Sequence, residues 1–271
     1  MRVKNKPKKV LSRRDFLKGA AFGTLGFAFS TKRVKAHPRI MEGAIPFAAE
    51  QDASKVVLIR SEKAVVGDQQ INEQVVKEMI DSAVMKFAEE TDPLKAWSNY
   101  IKAEDTVGVK FSRCGWMRVH TEQQVIDAVV KRIADLKVPS ERIYAQDGGM
   151  PVGKCTALVN VPSVKVHTLA GIAVSLKNYI NFSENPSKYH HAGSVNLGEV
   201  WMRPEVKGKT RLIIVDMLRP YFGPGPQINP LHRWNYNGIL VGTEPAAVDA
   251  VCLKICQAKR NLFKGEEWPI T

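Results

Sequence analysis

Short runs rich in β-branched and aliphatic residues alternate with stretches of helical periodicity along most of this chain. No other sequence feature constrains its fold so strongly. Runs at 55–60, 106–111, 142–147, 158–162, 211–216 and 238–242 read as strands. After the first run, Ile71, Val75, Met79, Ala83 and Phe87 recur at steps of four, the spacing of one helix face over 71–89. Asp92-Pro93 then reads as a turn, and a helix over 121–136 starts with Thr121 as its cap. Helical sequence is also expected over about 169–179, followed by a polar segment to about 204. Glu244-Pro245 opens a last helix, with proline in the first turn, where its missing N–H costs nothing. Strands alternating with helices predict an α/β fold, a layered, mainly parallel, Rossmann-like sheet flanked by helices, as one domain over 54–271.

The 271 residues carry a formal charge of +13, which at first suggests nucleic acid or an anionic membrane as partner. The distribution says otherwise. Eleven of the 40 basic residues and one of the 27 acidic ones lie in 1–36, leaving 29 against 26 and a net of +3 for 37–271. Nucleic acid is therefore not expected as a partner. The basic segment instead resembles an export signal. Ser12-Arg13-Arg14-Asp15-Phe16-Leu17-Lys18 follows the twin-arginine pattern, and a mild apolar stretch follows at 19–30. Twelve helical residues rise about 18 Å, short of the roughly 30 Å hydrocarbon core, so no stable membrane span is expected. Val34-Lys35-Ala36 places small residues for cleavage after Ala36. Residues 1–36 are thus read as signal and 37–53 as an irregular leader. The expected partner at this stage is the twin-arginine translocation machinery, and the destination is the periplasm or cell exterior.

Four cysteines, Cys114, Cys155, Cys252 and Cys256, would then end in an oxidising space, with three possible pairings. Cys252 and Cys256 share one helix face, as core packing or as a late disulfide. There is no C-x-x-C, no H-E-x-x-H, no G-x-S-x-G and no complete phosphate-binding glycine motif. The familiar signatures of iron–sulfur, zinc, hydrolase and nucleotide chemistry are thus missing.

In open α/β sheets, ligands collect beyond the carboxyl ends of strands. Polar residues fall there repeatedly: Lys110 and Asp147 near two strand ends, Lys165 and His167 after the fourth strand, and Asp216 at the end of the fifth. Lys165, His167 and Asp216 are the candidate catalytic residues. Asp147, Gly148, Gly149, Lys177, Asn178 and Arg219 are the candidates for holding a ligand. Lys165, His167 and Lys177 crowd hydrogen-bonding heads into thirteen residues and suit a carboxylate or phosphate. The competing reading is a solvated basic face with a histidine satisfied by backbone. The Gly148-Gly149 pair lets backbone approach a ligand, but a simple turn needs the same glycines. Asp216 and Arg219 beside the stiff Gly223-Pro-Gly-Pro226 loop fit a general base and an anion binder, or equally a structural ion pair. His167, His190 and His191 are weak metal candidates without diagnostic spacing. Asp249, in an apolar helix, reads as an anchor rather than a catalyst.

Five segments occur in one order: Val161-Pro162-Ser163-Val164-Lys165-Val166-His167, Ser175-Leu176-Lys177-Asn178, Ile214-Val215-Asp216, Gly223-Pro224 and Pro245-Ala246-Ala247-Val248-Asp249. Over about 55–262 the chain thereby resembles the family called domain of unknown function 362. It departs from that family's pattern at Glu104, Ser112 and Glu244. The resemblance implies the α/β architecture but no established reaction, and no cofactor is named by it. The resulting expectation is an exported protein binding an anionic small molecule or cofactor at the strand ends, with an enzyme of redox or anaerobic metabolism within its scope. The alternative is a non-catalytic maturation or assembly factor whose partner is an exported redox enzyme.

Overall fold

The computed structural model describes residues 54–67, 70–113, 119–225 and 228–270. The expected signal at 1–36, the leader at 37–53, Cys114 and Pro226 lie outside these residues. Residues 54–271 form one compact unit. Its elements are β1 (Val56–Arg60), β2 (Val65–Val66), β3 (Gln70–Ile71), α1 (Glu73–Ala88), α2 (Pro93–Ser98), β4 (Val107–Phe111), α3 (Gln123–Asp135), β5 (Ile143–Gln146), β6 (Ala157–Val161), β7 (Ser163–His167) and β8 (Gly171–Ala173). Then follow α4 (Ser175–Asn178), α5 (Leu197–Trp201), α6 (Pro204–Lys207), β9 (Thr210–Tyr221), β10 (Gly238–Gly242) and α7 (Pro245–Lys264). The main sheet runs β1-β10-β9-β6-β4-β5, with β7 on β9 and β8 on β7.

The sheet is mixed but mostly parallel, as the alternation predicts. β5, β4, β6 and β9 pair in parallel, whereas β10 runs antiparallel to both β9 and β1. β9 shows why its run is apolar without interruption. Leu212, Ile214 and Leu218 face the core that α1, α2 and α3 cover. Ile213, Val215 and Met217 face a second core with Val248, Cys252 and Cys256 of α7. A strand buried on both faces has no polar side to present. Cys252 and Cys256 thus pack as buried thiols, and Cys155 is also an unpaired buried thiol.

Local chemistry sets the helix boundaries. Asn72 Oδ1 accepts from Val75 N at 3.2 Å to start α1, and Glu89, left-handed at φ 59°, ends it. Asp92-Pro93 is no simple turn. It is the cap and first residue of α2, with Asp92 Oδ1 accepting from Lys95 N at 2.8 Å. Thr121 does not cap α3. Its hydroxyl donates to Val161 O at 2.8 Å and accepts from Ser112 N at 3.0 Å, closing the base of the 112–121 loop.

The largest departure from expectation lies at 158–179. The strand does not end at Pro162. Pro162 interrupts it, and the chain resumes as β7, whose Ser163 and Lys165 pair with Asp216 and Tyr221 of β9. The helix expected over 169–179 is instead β8, returning antiparallel on β7, followed by the single turn α4. Gly171 takes a left-handed φ of 71° at the start of β8, a conformation that excludes regular helix there.

Ile214 is fully buried in the three-helix core. Ile214→Ala is expected to lower the unfolding free energy by about 3 kcal/mol in urea titration. Arg211→Ala, at an exposed position of the same strand, should stay within about 0.5 kcal/mol.

Candidate functional site

Lys110 sits at the end of β4, completely buried. A buried ammonium needs acceptors for its protons, and three are present: Phe111 O at 2.7 Å, Asp147 Oδ1 at 2.7 Å and Asn178 Oδ1 at 3.1 Å. Burial pushes the Lys110 pKa down and the Asp147 carboxylate opposes that shift. The Asn178 amide donates to Lys110 O at 2.9 Å and to Asn160 Oδ1 at 2.7 Å, and Asn160 donates on to Ser175 O at 3.0 Å. This chain of bonds ties α4 onto the ends of β4 and β6.

Above the network lies a cleft of about 230 Å³ lined by Ser112, Asp147, Lys165, His167, Lys177, Asn178, Asn181 and His190, with Ala173, Val174, Ile180 and Pro186 as its apolar wall. Lys165, on β7, donates to Ser112 Oγ at 2.8 Å and Ser163 Oγ at 3.0 Å. Lys177, on α4, donates to His190 Nε2 at 2.8 Å. An ammonium has only protons to give, so His190 Nε2 is the acceptor. The ring proton then lies on Nδ1, which donates to Pro186 O at 3.2 Å. His167 Nδ1 accepts from Leu169 N at 3.2 Å, so its proton lies on Nε2. The two imidazoles stand 6.0 Å apart. Burial, then the charge of Lys177, lowers both, His167 to about 4. Both rings are therefore neutral near pH 7, His167 offering a donor and His190 an acceptor.

The structure brings together Asp147, Lys165, His167, Lys177, Asn178 and His190 from the sequence candidates. It places the others elsewhere. Asp216 is not at a strand end but midway along β9. Its Oδ2 accepts from Glu122 N at 2.7 Å and its Oδ1 from Leu218 N at 2.9 Å, so the carboxylate anchors the start of α3. Burial, together with the nearby Glu122 carboxylate, raises its pKa to about 7. Arg219 does not pair with Asp216. It grips Glu122 with Nε–Oε1 and Nη2–Oε2 contacts of 2.9 Å each, and Arg233 Nη2 adds a third at 2.8 Å. Neither Asp216 nor Arg219 lines the cleft. Gly148 and Gly149 form an exposed loop, where Gly149 (φ 70°) makes a turn that other residues disfavour. His191 is exposed. Among the described residues, no three His, Cys, Asp or Glu side chains are grouped to hold a metal ion.

Two contributors escaped the sequence reading. Asn160 had a visible signal, a lone amide within an otherwise apolar strand. Ser112 was noted only as a departure from the family pattern, yet its hydroxyl accepts from Lys165. Asp249 is the anchor that its apolar setting suggests: its two oxygens accept from Ser175 N at 2.8 Å and Leu176 N at 3.1 Å, fastening α4 to α7.

A family profile described as a domain of unknown function (DUF362) matches residues 55–254. The chain belongs to that family. Comparison with curated proteins and with solved structures found no match. None of the described helices is long and apolar enough to cross a membrane.

Burial raises the Asp249 pKa from 3.8 to about 7. The folded chain thus keeps a proton that the unfolded chain releases near pH 4. This group withdraws stability as pH rises between those values, and the loss is complete above 7. Asp249→Asn cannot titrate there. The stability advantage of the wild type over this variant is expected to narrow as pH rises from 5 to 7.5, measured by urea unfolding at each pH. A constant difference would place the carboxyl at its ordinary pKa.

Proposed function

We propose that this protein binds a small anion, a carboxylate or a phosphate, in the cleft between β7, α4 and the ends of β4 and β5. The observation that carries the reading is the gathering of amine and imidazole side chains in the lining. Among the described residues the lining includes two amines, Lys165 and Lys177, each already held by hydrogen bonds, and one carboxylate, Asp147, which is paired with Lys110 at 2.7 Å. His167 and His190 add polar contacts without charge. An anion here would meet two charge-assisted donors and the His167 Nε2–H in a partly enclosed space, where such bonds are stronger than in water. Whether turnover follows depends on what else the ligand carries. The Lys177–His190 contact gives a route for a proton between amine and imidazole, so acid–base chemistry on the bound anion is within reach of these residues.

Titration calorimetry with propionate and with inorganic phosphate tests the reading. At least one is expected to bind the wild type. Lys177→Ala and Lys165→Met are each expected to weaken that binding about tenfold or more, with folding followed separately by thermal melting. Absence of binding to the wild type, or unchanged affinity in both variants, overturns it.

The proposal also places the protein outside the cytoplasm, on the strength of Arg13-Arg14 and the apolar stretch after them. Replacing both arginines by lysine is expected to retain the protein in the cytoplasmic fraction. Export of that variant at the wild-type level would remove this part of the reading.

A further inference from the structure

The wall of the cleft that carries Lys165 and His167 is a hairpin at the margin of the sheet. β7 pairs with the far half of β9, and β8, three residues long, pairs only with β7 among the described residues. So short an outer strand gains little from its ladder and depends on what packs behind it. Behind this hairpin lies the second core. There Val164 and Val166 of β7 join Val248, Cys252 and Cys256 of α7, and Ile172 and Ile270 pack against them.

Ile270 belongs to a stretch, 268–270, whose backbone α7 holds as a binding groove holds an extended peptide. Gln257 Nε2 donates to Trp268 O at 2.8 Å, and Gln257 Oε1 accepts from Ile270 N at 2.8 Å. Asn261 Oδ1 accepts from Trp268 N at 3.0 Å, and Arg260 Nη1 donates to Pro269 O at 2.7 Å. Pro269 has no N–H, so every backbone donor of the stretch is matched by an α7 side chain.

Two sets of contacts lead from this stretch to the turn between β7 and β8. A Cβ placed on Gly171 would stand 3.9 Å from Ile270 Cγ2, and Gly171 is the partner of His167 across the hairpin. The Arg260 guanidinium lies 4.5 Å from the Trp268 ring and donates through Nε to Phe222 O at 2.7 Å. Phe222 leads into the loop whose Gly225 O accepts from the Thr168 hydroxyl. That loop approaches β7 so closely that a Cβ at Gly225 would stand 2.8 Å from Val166 O, a distance only glycine permits.

We propose that residues 268–270 are a strap: clamped by Gln257, Arg260 and Asn261, they hold the β7–β8 hairpin on the second core and so keep Lys165 and His167 in position. Gln257 is then a positioning residue, acting on the cleft without lining it. The inference goes beyond the anion-binding reading and stands whether or not an anion binds.

Hydrogen exchange tests it. In Gln257→Ala, and more strongly on deletion of 268–271, the amides of 163–173 are expected to exchange about tenfold faster. Those of β4 and β6 should keep their wild-type rates. The ring signals of His167 in NMR should shift, while those of the exposed His191 stay in place. Wild-type exchange at 163–173 in Gln257→Ala overturns the strap, whatever the deletion does. Equal acceleration in β4 and β6 overturns it as well, because the stretch would then support the whole domain rather than the hairpin. Gln257→Ala keeps Trp268 and Ile270 in the chain, so it decides the matter even if the deletion does not fold.

Discussion

The burial of one ammonium group, Lys110, organises this protein's strand ends. A charge removed from water at the end of β4 is tolerable only if its protons are matched, and each acceptor comes from a different part of the chain. Asp147 is held at the end of β5, Asn178 on α4, and Phe111 O at the end of β4 itself. Satisfying Lys110 therefore fixes the spacing of β4 and β5 and the seat of α4 together. Asn178, turned by this bond, spends its amide protons on Lys110 O and Asn160, so it cannot rotate to serve a ligand without breaking three contacts. The cleft above inherits its shape from groups that do not enter it.

Two further carboxylates act at a distance in the same manner. α3 begins at Glu122, which makes no side-chain cap of its own, and Asp216 supplies an acceptor from β9, 94 positions away. α4 is one turn long, too short to persist by helix propensity. Asp249 holds its first N–H groups from α7. The polar residues that look catalytic in sequence because they stand in apolar runs are thus divided. Some face the cleft, and others bind backbone where a local cap is lacking.

That division explains how much was legible in the sequence. β1, β4, β5, β10 and α1, α3 and α7 follow from runs and periodicities that depend on near neighbours. β7 and β8 do not. Pro162 ends a strand by every local rule, yet β9 is twelve residues long and offers its second half to a new strand after the proline. The helical spacing over 169–179 was overridden by the pairing of Gly171–Ala173 with β7. Among site residues, Lys165, His167 and Lys177 were visible because polar groups gathered near strand ends. Asp216 and Arg219 shared that signature, and only their partners, Glu122 and the backbone N–H groups, separate them from the cleft.

The continuation of the chain beyond Pro162 also shapes the cleft. β4 stops at Phe111 and β5 at Gln146, while the chain of β6 runs on past the proline as β7, supported by the far half of β9. The sheet is therefore long on one side and short on the other, and the step between is a corner. Ser112 and Asp147 stand on the short side, Lys165 and His167 on the wall above it, and α4 closes the corner with Lys177. Parallel strands with staggered ends commonly open a crevice for ligands. Here the stagger comes from β9, which supports β7 beyond the ends of β4 and β5, so the pairing that a local reading misses also shapes the cleft.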